Sequence, residues 1–267
     1  MRTTIERPAN LGELLEPLPA GAFEGRVDRA ETITVALFDA EAASVSRLQL
    51  LNGANVAAVR SDDGVWEILQ FETAEEISAG VWLLGGLLRG QLGTGDAMAA
   101  GAEAGAPFVM LDDRVKSAGL LAGEIGLRLY WRVGPSGAVI SEDTFADHSE
   151  AGGLRARLPL APVHLRCRPG PGGDLAFSWV RRGRIDADDW GATDIPLGEE
   201  REEYRVDVLA VGGPVVRSET VAVSNWTYAG GDIVADFGGM PAEIDVAVRQ
   251  LSLSAGWGIP ASRRFSF

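Results

Sequence analysis

Leu87-Leu88-Arg89-Gly90-Gln91-Leu92-Gly93-Thr94-Gly95-Asp96-Ala97-Met98 is the stretch on which the reading of this chain turns. Gly90 and Gly93 stand three apart, with Arg89 before them and Thr94 after. That spacing marks a tight turn whose backbone needs positive φ, a region glycine enters without steric cost. Apolar runs flank the motif, Trp82-Leu83-Leu84 upstream and Phe108-Val109-Met110-Leu111 downstream, the second ending at Asp112. Arg89 carries five donors, which either tie the turn carbonyls together or pair with Asp112. Either role is structural, and it is preferred here to ligand binding.

Working outward, alternation of apolar and polar residues predicts strands. Thr32 to Phe38 puts Ile33, Val35 and Leu37 on one face. Trp66 to Phe71 has apolar residues on both faces, which suggests burial between layers. Ser78-Ala79-Gly80 is a turn, and Val81 to Leu88 returns as the hairpin partner. Glu41 to Asn52 reads equally as a helix or as a strand after a short turn. Gly95 to Pro107 is rich in alanine and glycine and reads as a loop with a short helical turn. Ile125 to Val133 alternates, with Leu127, Leu129, Trp131 and Val133 on one face. A linker is expected near Gly152-Gly153 to Pro162, which divides the chain into residues 1–158 and 159–267. The strands around Trp66, Phe71, Trp82 and Leu84 are expected to turn one apolar face to a partner, since a small β-domain rarely covers both faces alone.

Composition bounds the function. The 267 residues are 46% hydrophobic and 23% charged, an ordinary globular balance, and favour two domains. A net charge of −14 argues against a nucleic-acid binder, which needs a basic face, and against docking on an anionic membrane. No apolar run approaches membrane-spanning length. Met1 to Glu6 lacks the apolar core of a secretory signal, so synthesis in the bacterial cytoplasm without a signal peptide is expected. Cys167 is the only cysteine. Its alternation with Val163 and Leu165 reads as a small buried hydrophobe, and His164 points to the opposite strand face.

The run Trp66-Glu67-Ile68-Leu69-Gln70-Phe71, then Leu-Leu-Arg-Gly-x-x-Gly-Thr, then Phe108-Val109-Met110-Leu111-Asp112, resembles the C-terminal region of the baseplate megatron, or host-specificity protein. This is a large tail-tip protein of gene transfer agents and siphophage-like tails. A second series is similar to the last domain of the same family: Ala161 to Arg166, Asp174 to Arg182, Trp190, Pro196 to Glu200, and Tyr204-Arg205-Val206. Together the two cover Trp66 to the C-terminus, and the residues before Trp66 match weakly. The resemblance implies a structural component of a tail tip or baseplate that assists attachment to a bacterial surface and DNA delivery. It also implies residence in the tail particle and partners among the hub, the distal tail protein and the fibres. Three copies around an axis are expected, with no cofactor.

Beyond residue 159, short strands at regular spacing argue for a β-sandwich. Its details resemble fibronectin type III. Pro162 leads the first strand, Trp179 sits inward on the second and Tyr204 begins the third, while Gly256-Trp257-Gly258-Ile259-Pro260-Ala261 precedes the last. Ile244 stands where such domains often have a tyrosine, so the tyrosine corner is expected to be missing and Asp232 to Phe237 to form a helical turn in its place. The fold class is therefore mainly β, a β-rich docking domain followed by a fibronectin-III-like sandwich.

Signs of chemistry are few. The sequence has no G-x-S-x-G, H-E-x-x-H or Walker loop, so the chain is not expected to be an enzyme. His148 and His164 fall in different regions, and no metal site is expected. Asp186, Asp188 and Asp189 could offer oxygens to calcium but lack the Asp-x-Asp-x-Asp-Gly spacing. Acidic doublets such as Asp112-Asp113 and Glu202-Glu203 put neighbours on opposite strand faces, unlike the facing pair of a glycosidase. Trp190, Trp226, Tyr228 and Trp257 lie near turns or strand ends, where they could contact a partner or a glycan. They motivate the alternative of a carbohydrate-binding module that recognises surface polysaccharide.

Overall fold

The computed structural model describes residues 2–21, 24–185, 187, 191 and 194–267. Two compact units emerge, Met1–Leu121 with Arg132–Ala146, and Ala122–Trp131 with Asp147–Phe267.

The first unit is built on six strands: β1 (Leu11–Leu14), β2 (Val27–Phe38), β3 (Val56–Arg60), β4 (Trp66–Ser78), β5 (Val81–Gln91) and β6 (Pro107–Met110). They close into an antiparallel barrel in the order β1-β2-β5-β4-β3-β6. The seam is β6, where Val109 stands opposite Leu11 of β1 on one side and Ala58 of β3 on the other. Alternation supplies the interior: Ile33, Val35 and Leu37 from β2, Leu69 and Phe71 from β4, and Val59 and Phe108 from β3 and β6, all buried. Burying each of the larger side chains is worth roughly 1.5–3 kcal/mol. On β5 the buried parity changes across Gly85-Gly86, from Trp82 and Leu84 before the pair to Leu87 and Arg89 after it. Gly86 makes the change with φ +63°.

Barrel closure overturns the expectation of a sheet that offers one apolar face to a partner. Phe71, Trp82 and Leu84 line the barrel interior, and of the four residues named only Trp66 faces outward. The Leu87 to Met98 motif also differs from its reading as a turn. Leu87 to Gln91 are the last residues of β5, and the turn comes next, closed by Thr94 N–H to the Gln91 carbonyl at 3.1 Å. Gly90 occupies a bulge, where three steps along β5 match two along β4. Both glycines do take positive φ, +64° for Gly90 and +76° for Gly93.

Two short helices complete this unit. Residues 41–52, open to either reading, end in α1 (Arg47–Leu51). Ser46 starts it through a capping box, its Oγ accepting from Gln49 N–H while Gln49 Oε1 accepts from Ser46 N–H. Gln70 holds the helix end to the barrel, its Nε2 donating to the carbonyls of Leu50 and Ala54, both at 2.7 Å. The helical turn expected within Gly95 to Pro107 is α2 (Gly95–Ala100), which buries Ala97 and Met98.

Strands β7 (Arg128–Val133) and β8 (Ala146–Ala151) form a two-stranded sheet of their own.

The second unit contains β9 (Val163–Pro169), β10 (Leu175–Val180), β11 (Tyr204–Leu209), β12 (Val215–Val221), β13 (Asn225–Tyr228), α3 (Gly230–Phe237), β14 (Glu243–Ser252), β15 (Gly256–Trp257) and β16 (Ala261–Ser266). One sheet runs β13-β10-β9, and the other runs β12-β11-β14 with β15 and β16 on the far side of β14. First, second and fifth strands therefore face third, fourth, sixth and last, which is the fibronectin type III arrangement. The core joins both sheets. Leu175, Phe177 and Trp179 alternate inward from β10, against Tyr204, Val206 and Val208 of β11 and Val246 and Val248 of β14. Ring pairs cross the gap, Phe177 to Phe265 at 5.5 Å and Trp179 to Tyr204 at 5.3 Å, both edge-on. Ile244 is buried at the tyrosine-corner position, and α3 occupies the connection before it, as its sequence suggested.

Candidate functional site

A buried ion cluster is the most developed polar feature of the barrel. β5 presents Arg89 in phase with Leu87, β4 presents Glu67 in phase with Leu69 and Phe71, and β2 brings Glu31. The Arg89 and Glu67 side chains are only 3% and 2% exposed. Arg89 grips Glu67 with two parallel bonds, Nε to Oε1 at 2.9 Å and Nη2 to Oε2 at 2.7 Å. Its Nη1 donates to Glu31 Oε2 at 3.0 Å and to the Pro19 carbonyl at 2.6 Å. Gly90 N–H gives the Glu67 carboxylate a third donor, at 3.2 Å from Oε1. Burial alone would pull the Arg89 pKa down, but the bonds and charge of Glu67 and Glu31 hold it above the ordinary guanidinium value. A cleft of about 450 Å³ opens beside the cluster, with Gly21, Arg26, Asp28, Glu31, Leu87 and Arg89 among its walls.

This geometry corrects the pairing expected for Arg89. Its partners are Glu67, Glu31 and Pro19, while Asp112 accepts from Asn10 Nδ2 at 2.6 Å and from Arg114 N–H at 2.9 Å. Asp112 therefore ties the end of β6 to the residue just before β1, and so fastens the seam. Thr94 Oγ1 donates to the Gln91 carbonyl at 2.7 Å and accepts from Ile68 N–H at 3.0 Å, which ties the turn to β4. The motif residues thus work as fasteners around the barrel. Glu67 was the missed member, because a carboxylate within a strand is read as facing outward. Its even spacing with Leu69 and Phe71 was the signal that could have found it.

One of the aromatic contact candidates is a core residue and a second packs against the core. Tyr228 is fully buried, and its hydroxyl donates to Asp236 of α3. Trp226 is half-buried, stacked on Phe177 at 5.8 Å and on Tyr228 at 5.0 Å. Trp257 is half-buried on β15, while Trp190 and the Asp186, Asp188, Asp189 group lie outside the described residues. Sequence reasoning also missed the clamp on α3, where Arg217 donates from Nε and Nη2 to Asp236. Bonds from Arg217 and Tyr228 lower the Asp236 pKa, and burial followed by the Asp236 bond raises that of Tyr228. Among the described residues, no group of three or more His, Cys, Asp or Glu side chains could hold a metal ion. Among the same described residues, no helix is long and apolar enough to cross a membrane.

The molecule is thus a small closed barrel with a buried ionic clasp, together with a fibronectin-III-like sandwich. Residues 9–109 match the family model described as Rcc01698-like, C-terminal. The match includes the region before Trp66, where the resemblance looked weak, and stops short of the sandwich. No curated protein matches the chain. Among solved structures, a β-1,2-glucanase from Parabacteroides distasonis aligns at 10% identity and a TM-score of 0.25. The alignment covers 97% of this chain and 28% of that one, and a score this low carries no argument about fold or activity.

Proposed function

We propose that the chain is a non-enzymatic structural component of a phage-like tail tip or baseplate of the gene-transfer-agent type. In this reading it assists attachment to the bacterial surface and DNA delivery. One observation carries the reading: the family match, residues 9–109, spans nearly the same residues as the closed barrel, Leu11 to Met110. The match therefore follows a folding unit and not a scatter of residues, and its family name is associated with gene transfer agents. The fasteners favour the same role. Buried Arg89 is spent on Glu67, Glu31 and a carbonyl, which suits a rigid element better than a reacting centre.

The partners are the hub, the distal tail protein and the fibres, with three copies arranged about the tail axis. The carbohydrate-binding alternative is weakened by the inward packing of Tyr228 and Trp226, two of its four proposed contacts. The test is gold labelling of an epitope-tagged chain on purified particles, viewed by negative-stain microscopy. Label confined to the tail end supports the reading, and particles that lack the chain overturn it.

A further inference from the structure

The interior of the sandwich contains polar groups that hydrophobic packing does not explain. Gln250 faces inward on β14 and is 1% exposed, yet neither its amide oxygen nor its amide nitrogen meets a hydrogen-bonding group of the protein. Trp179, on the opposite sheet and 3% exposed, has its Nε1–H in the same condition. Both residues border Tyr204: Gln250 is its cross-strand partner, and the Trp179 ring stands edge-on to it at 5.3 Å. Tyr204 satisfies neither group: its hydroxyl donates to Glu202 Oε1 at 2.8 Å, and its oxygen accepts from neither the indole nor the amide. Two positions along the same face of β14, Ser252 is fully buried, its Oγ 3.2 Å from Ser254 Oγ. Beyond Val248 the inward face of this strand therefore turns polar.

Buried amides and indole N–H groups without partners are costly, and folded proteins meet that need with internal water that joins two to four polar groups. We propose that this end of the sandwich interior is an internal hydration site of one or two waters, held by Trp179 Nε1–H and the Gln250 amide. The water oxygen accepts from the indole, and one of its hydrogens goes to Gln250 Oε1. This explains why an amide side chain occupies an inward strand position between Val248 and Ser252.

Nuclear magnetic resonance on the full ¹⁵N-labelled chain tests the site. The Trp179 indole resonance is identified as the one that Trp179→Phe removes. Rotating-frame transfer from that proton to water should give a cross-peak of the sign of dipolar contact, and Gln250→Met should abolish it. Absence of the cross-peak in the parent chain, or its survival in the variant, overturns the proposal. If Gln250→Met does not fold, a crystal structure of the parent chain decides the matter. Ordered water within about 3.2 Å of Trp179 Nε1 supports the site, and a direct bond from Nε1–H to Gln250 Oε1 overturns it.

Discussion

Replacing Arg89 by methionine should damage the barrel more than any surface substitution. The change removes two parallel bonds to Glu67 and two further bonds, to Glu31 and to the Pro19 carbonyl. Glu67 is left 2% exposed with only Gly90 N–H as a donor. Breaking a buried pair from one side costs about 3–5 kcal/mol, because the surviving charge keeps its desolvation penalty and loses its partner. For a unit of this size that corresponds to a fall of about 9–15 °C in unfolding temperature, at about 3 °C per kcal/mol. The double change Arg89→Met with Glu67→Leu removes both charges and should recover most of the loss, since apolar replacement of an ion pair is often neutral or better. Scanning calorimetry on the full chain reads both effects as a shift of the barrel transition, with the sandwich transition unmoved. A loss below about 1 kcal/mol for the single change, the value of an exposed pair, would refute the reasoning. So would a double variant no more stable than the single one.

Further outcomes follow from the sandwich. Trp179→Ala should destabilise that unit by about 3–5 kcal/mol, read by urea unfolding, and a change below about 1 kcal/mol would show that Trp179 is not a core residue. Arg217 and Tyr228 hold the Asp236 pKa below its ordinary value, so the stability it contributes is present above the unfolded value and lost as pH falls through the folded one. Asp236→Asn should therefore flatten the acid limb of the sandwich unfolding curve below about pH 4, and an unchanged limb would contradict this. Burial pushes the Cys167 thiol up to about 11. At pH 8 it should react with a disulfide reagent about a hundredfold more slowly than a free thiol, and a rate equal to that of a small thiol would contradict the burial.

Much of this architecture can be read from period-two alternation. Leu175, Phe177 and Trp179 announce an inward face, and the β4–β5 hairpin follows from two apolar runs around Ser78-Ala79-Gly80. Alternation assigns faces but not neighbours. The pairing of Val109 with both Leu11 and Ala58 closes the barrel across about a hundred residues, and nothing local specifies it. The apolar residues of Trp66 to Phe71 and Val81 to Leu88 therefore suggested a face awaiting a partner, when the chain itself curls round to cover it. The ionic clasp was hidden for a related reason: Glu67 breaks the rule that strand carboxylates face water, and only its distant partner Arg89 makes that placement tolerable. Tyr228 was misplaced because closeness to a turn suggested exposure, whereas α3 folds back over it through Asp236.

The central proposal is that this chain is a structural part of a tail tip, which it contacts through the outer surface of the barrel. A cryo-electron microscopy reconstruction of the tail end of purified particles tests this most directly. The account predicts density for the closed six-stranded barrel in three symmetry-related copies, in contact with neighbouring tail proteins. A tail end with no density that accepts the barrel would contradict the claim, as would a map in which only the sandwich touches the rest of the tail.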